Sequence, residues 1–111
     1  MGDKVLGYIV KLTRESIPAS AYLYRWGGEE FLLVLETNNQ DELAQLLGFL
    51  CEKIEKSPLV FDEGLQATIK VTVSIGGAYQ NEDLTIGECI LLADTHLYEA
   101  KAKGRNKVII Q

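Results

Sequence analysis

Apolar residues near the start of the chain, Val5, Leu6, Ile9, Val10 and then Ile17, recur at three- and four-residue steps, which predicts a helix over residues 3–15 with one face on a core. Pro18 ends it. Residues 21–26 and 31–35 are short runs of aromatic and branched side chains, separated by Gly27-Gly28-Glu29-Glu30, and read as a β-hairpin. Asn38-Asn39-Gln40-Asp41-Glu42 then supplies cap-type side chains ahead of Leu43, Leu46, Leu47, Leu50 and Ile54, the spacing of an amphipathic helix that Ser57-Pro58 stops. An irregular stretch is expected up to Gly64. Beyond it Leu65, Ala67, Ile69, Val71, Val73 and Ile75 alternate strictly, the period of a long half-buried strand.

Thr85 with Glu88 three residues on fits a capping box that opens a helix through about Lys103, with Ile86, Ile90, Ala93, Leu97 and Ala100 as its buried stripe. Gly104 suits a left-handed C-terminal cap, and Val108-Ile109-Ile110 reads as a closing strand. The order αββαβαβ favours an α+β fold with helices packed on a mostly antiparallel sheet. A length of 111 residues points to one domain, residues 1–111.

Composition narrows the function. The formal net charge is −5, from 11 Lys and Arg against 16 Asp and Glu, which argues against a duplex nucleic-acid binder but leaves room for a local anion pocket. Cys51 and Cys89 lie far apart, without a C-x-x-C or a metal-spaced His, and read as reduced core residues. No apolar run has the length of a membrane span and Met1-Gly2-Asp3-Lys4 has no signal-peptide character, so no membrane contact and a cytoplasmic location are expected.

Arg25-Trp26-Gly27-Gly28-Glu29-Glu30-Phe31 carries the most chemistry. Two residues without side chains let backbone approach a phosphate closely, and two carboxylates follow as hard oxygen ligands for Mg²⁺. Taken alone, the same turn is equally a solvated hairpin tip. Lys101, Lys103 and Arg105 at the end of the last helix complement the negative end of the helix dipole.

The heptad resembles the R-Y/W-G-G-D/E-E-F signature of the GGDEF family, the diguanylate cyclases. Val71-Thr72-Val73-Ser74-Ile75-Gly76 is similar to the family's V-T-x-S-I-G strand, and residues 93–106 are similar to its A-D-x-A-L-Y-x-A-K-x-x-G-R-N helix end. Gly2-Asp3-Lys4-Val5-Leu6 resembles the G-D-x-V-L that opens the family's second helix. These four segments run in order along essentially the whole chain.

The resemblance implies the palm-like, ferredoxin-like nucleotidyl-cyclase fold and condensation of two GTP into cyclic di-GMP and pyrophosphate. It implies that Glu29 and Glu30 are catalytic and bind metal, two Mg²⁺ or Mn²⁺ per site. Gly27 and Gly28 would lie against the triphosphate, Lys101 and Arg105 on its oxygens, and Asp3 on the guanine edge. It further implies a homodimer in catalysis and a sensory or receiver domain in the parent protein.

Four departures qualify that picture. The family's opening strand and helix, with D-x-D-x-F-K-x-I-N-D, have no counterpart, so the chain is expected to be an incomplete domain, weakly active or inactive alone, and prone to share strands in a homodimer. The alternative is a non-catalytic, GTP-binding regulatory module. Pro18-Ala19-Ser20-Ala21 stands where the family's R-x-x-D product-inhibition site falls, so no such site is expected. His96 replaces a small residue and reads as surface decoration, Asp94 and Tyr98 read as packing or hydrogen-bonding residues, and Gly77 replaces a common valine without a functional account.

Overall fold

The computed structural model describes residues 2–61 and 67–110, with backbone alone for residues 2, 3, 61 and 67. Three helices, α1 (Gly2–Ser16), α2 (Gln40–Glu55) and α3 (Ile86–Ala102), are interspersed with β1 (Tyr22–Gly27), β2 (Glu30–Val34), β3 (Leu59–Phe61), β4 (Ala67–Ile69), β5 (Ile75–Gly77) and β6 (Val108–Ile110). The chain divides into two compact units, Met1–Thr37 and Asn38–Gln111.

In the first unit α1 buries Leu12 and Thr13, with Val5, Ile9 and Ser16 half-buried along the same stripe. Thr13 and Ser16 donate their hydroxyls to the carbonyls of Ile9 and Leu12, each at 2.8 Å, so the polar members of the stripe are satisfied within the helix. The helix stops short of Pro18, whose carbonyl accepts from the Ala21 amide in a turn leading to β1. β1 and β2 then pair antiparallel, Tyr22 opposite Val34 and Arg25 opposite Phe31, with a bulge between Arg25 and Gly27.

The second unit holds most of the core. α2 buries Leu43, Leu47, Leu50, Cys51 and Ile54, the face that its apolar spacing requires. Its N-cap is Asn39, whose side chain accepts from the Glu42 amide at 2.8 Å. α3 opens on the expected capping box, Thr85 and Glu88 each accepting from the other's backbone. Both helices pack on β5 and β6. At the closest approach, a Cβ on Gly76 would lie 2.1 Å from the Leu97 amide nitrogen and 2.2 Å from the Ala93 carbonyl oxygen. Helix backbone and strand backbone touch there, and only glycine leaves the room.

The α+β class is as expected, but several details differ. Residues 59–61, expected to be irregular, form β3 and pair antiparallel with β4. The expected long strand is broken: residues 70–74 belong to no strand, and Leu65 lies outside the described residues. Alternation reports extended backbone with one buried side, and Val71 is buried, yet the run serves two partners, β3 for β4 and β6 for β5. Among the described residues the strands form three two-stranded sheets, two antiparallel and one, β5 with β6, parallel, in place of a single sheet.

The expected stripe of α3 holds at Ala100, which is 0% exposed, but not at Ile86, which is 66% exposed, and His96 joins the buried side at 4%. His96 is therefore no surface decoration: its Nδ1 lies 2.7 Å from the Gly77 carbonyl oxygen, joining α3 to β5. Tyr98 and Asp94, expected to pack or hydrogen-bond within the fold, are both exposed, Tyr98 at 76%.

Candidate functional site

The glycine-rich signature sits at the tip of the β1–β2 hairpin. Gly27 closes β1, Gly28 adopts the left-handed conformation with φ 52°, and Glu30 opens β2. Gly28 is the one glycine of the pair whose backbone needs its lack of a side chain. A Cβ on Gly27 or on Gly28 would meet nothing within 4 Å, so the backbone of the turn faces open space. Glu29 is exposed and Glu30 half-buried, on adjacent positions.

Arg25, which had no assigned role, braces this turn. Its Nε and Nη2 both donate to the Gly28 carbonyl, at 3.0 and 2.8 Å. Because the peptide unit is planar and trans, a carbonyl held toward Arg25 turns the Glu29 amide N–H the opposite way. The only sequence clue was the position of Arg25 two residues before the glycines. Asp3 lies in the first turn of α1, and its side chain is outside the described residues.

In the other unit, Lys101 occupies the last turn of α3 and is half-buried, while Arg105 is exposed just beyond the helix. Lys103 is the C-cap, its amide bonded to the Glu99 carbonyl, and the Arg105 amide reaches back to the Ala100 carbonyl at 2.9 Å. That backward bond, with Gly104 at φ 109°, is the Schellman closure that leaves a helix by a left-handed residue. Gly27, Gly28, Glu29 and Glu30 are thus gathered on one turn, and Lys101 and Arg105 on one helix end.

Metal fit can be judged from the donors. Among the described residues no group of three or more His, Cys, Asp or Glu side chains converges as an ion cage. Two adjacent glutamates beside open backbone fit a different arrangement, in which Mg²⁺ takes one or two carboxylates and completes its shell with phosphate oxygens and water.

The thiols are quiet. Burial, and secondarily the Glu55 charge, pushes the Cys51 thiol above its usual pKa, and burial does the same to Cys89. Both cysteines are free.

The chain belongs to the GGDEF family: the family model described as "Diguanylate cyclase, GGDEF domain" matches residues 1–107. Diguanylate cyclase DosC of Escherichia coli is 32% identical over 107 residues, which is 96% of this chain and 23% of that protein. The chain thus spans about a quarter of the length of such relatives. Among solved structures, the active GGEEF domain of a diguanylate cyclase from Vibrio cholerae superposes with a TM-score of 0.80 at 30% identity, covering 98% of this chain and 67% of that one. The GGDEF domain of DgcB from Caulobacter crescentus, solved in complex with c-di-GMP, gives a TM-score of 0.87 at 24% identity, covering 98% and 64%, and speaks to the fold.

Proposed function

We propose that this chain is the nucleotide-handling part of a diguanylate cyclase, which joins two GTP molecules into cyclic di-GMP. Each 3′-hydroxyl oxygen attacks the α-phosphorus of the other GTP, each hydroxyl proton is lost to solvent, and two pyrophosphates leave. The observation that carries this reading is the hairpin tip, where unobstructed backbone at Gly27 and Gly28 adjoins the carboxylates of Glu29 and Glu30. Bound Mg²⁺ or Mn²⁺, two ions per site, supplies charge neutralisation at the α-phosphate and acidifies the attacking hydroxyl.

Glu29 and Glu30 would hold the metal, with phosphate oxygens completing the shell. The glycine backbone receives the triphosphate, Lys101 and Arg105 balance its charge, and Asp3 accepts from the guanine edge. Two GTP-loaded copies must face each other, so a homodimer is part of the reaction rather than an accessory to it. We read residues 1–111 as one partial domain that works in the cytoplasm under the control of a sensory or receiver module of a longer protein. Pro18, Ala19, Ser20 and Ala21 carry no charged side chain, and on that ground we read no product-inhibition site there.

The test is cyclic di-GMP formation from GTP and Mg²⁺, followed by mass spectrometry, beside calorimetric binding of Mg²⁺–GTP. Weak product formation that disappears in Glu29→Ala supports the cyclase reading. Binding without product favours the regulatory module that senses GTP. No binding defeats both.

A further inference from the structure

The turn that follows α3 runs through three successive left-handed residues: Gly104 at φ 109°, Arg105 at φ 62° and Asn106 at φ 47°. Glycine takes that conformation freely and asparagine more readily than other residues, but an arginine between them is held there at a cost. Arg105 and Asn106 are the only non-glycine residues with positive φ among the described residues. Such a run persists where something outside the turn holds it.

The holder is on α2. Asn106 donates its side-chain Nδ2–H to Glu55 Oε2 at 2.6 Å, and the thiol of Cys51 lies 3.8 Å from its Oδ1. Glu55 and Cys51 are on the last turns of α2, and with Gly48, Glu52, Asn106 and Val108 they line an open cavity of about 400 Å³. Asn106 is half-buried while Arg105, one residue earlier, is exposed. One side chain is anchored inward and its neighbour is left in solvent.

We propose that Asn106, tethered by Glu55, is a positioning residue for Arg105: it keeps the turn left-handed and so restricts the directions open to the guanidinium as a phosphate ligand. This rests on the reading of Arg105 as a phosphate ligand. Without the tether the turn relaxes toward commoner backbone angles, and Arg105 searches a wider volume before it meets a phosphate.

Titration of the 111-residue chain with Mg²⁺–GTP by calorimetry tests it through a double-mutant cycle. Asn106→Ala and Arg105→Ala should each weaken binding about tenfold, the scale of one charge-assisted phosphate contact, and the double variant no more than Arg105→Ala alone. Glu55→Ala, which leaves the turn's own sequence intact, should reproduce Asn106→Ala. Glu55→Gln, whose amide oxygen still accepts the hydrogen bond, should stay within about twofold of the unsubstituted chain. Circular dichroism establishes that each variant is folded, and Glu55→Ala carries the test if Asn106→Ala is not.

Additive losses in the cycle would show that Asn106 acts independently of Arg105 and overturn the positioning role. Unchanged binding in both Asn106→Ala and Glu55→Ala would overturn it too, while leaving the reading of the site in place. Unchanged binding in Arg105→Ala removes the phosphate contact itself. Failure of the unsubstituted chain to bind Mg²⁺–GTP overturns the nucleotide reading, and this inference with it.

Discussion

Gly76 and Gly77 are neighbours with different constraints. A methyl at position 76 would land on the backbone of Leu97 and Ala93, which cannot move without displacing α3. At position 77 it would meet the ends of the Leu47 and Ile110 side chains, at 2.7 and 3.2 Å, which can rotate away. Gly76→Ala should therefore cost about 3 kcal/mol or more and Gly77→Ala about 1 kcal/mol, read from urea denaturation midpoints at constant slope. Equal costs would contradict the backbone contact. At the hairpin tip, Arg25→Lys keeps the charge and loses the two-pronged grip on the Gly28 carbonyl. Faster amide hydrogen exchange at residues 28–30, with little change in global stability, is the expected result.

At its start α3 is held by its cap rather than by burial, because Ile86 there is exposed. Thr85→Ala should destabilise the protein by about 1 kcal/mol in chemical denaturation, since it opens one half of the capping box. The other half is charged. Hydrogen bonds from the backbone and then the hydroxyl of Thr85 hold the Glu88 carboxyl below the usual carboxylate value. A folded pKa below the unfolded one means that this contribution is present above the unfolded value, near pH 4.5, and fades as the pH falls through the folded one. Glu88→Gln should accordingly flatten the acid side of the stability curve below about pH 5, followed by thermal unfolding monitored by circular dichroism. If the acid limb is unchanged in that variant, the box is not formed in solution.

For the whole molecule the decisive quantities are charge and concentration. With a net charge of −5 the chain repels a polyanion overall, so no mobility shift of duplex DNA is expected at physiological salt. A nucleotide held at one metal-bearing turn is a local matter that net charge does not forbid. Because the proposed reaction needs two loaded copies, the initial rate of cyclic di-GMP formation per chain should rise with protein concentration in the range where light scattering shows mostly monomer. A rate per chain independent of concentration there would rule out the two-copy mechanism.

Helix existence, the hairpin with Gly27-Gly28-Glu29-Glu30 at its tip, and both N-caps were legible in the sequence, because each depends on residues within a turn or two of one another. Spacing alone placed Leu43, Leu47, Leu50 and Ile54 on one face, and that face is buried. What lay beyond reach depends on partners distant in the chain. Whether residues 67–75 form one strand or two is decided by β3 and β6, which pair with different parts of a run that looks uniform in sequence. His96 was misjudged because its environment is set by the Gly77 carbonyl, nineteen residues away. The side-chain partner of Asn106, in the turn after α3, is Glu55, fifty-one residues earlier at the end of α2. Periodicity and capping are local free energies written in neighbouring residues; burial of a polar group is settled by whichever distant donor or acceptor the tertiary structure brings to it.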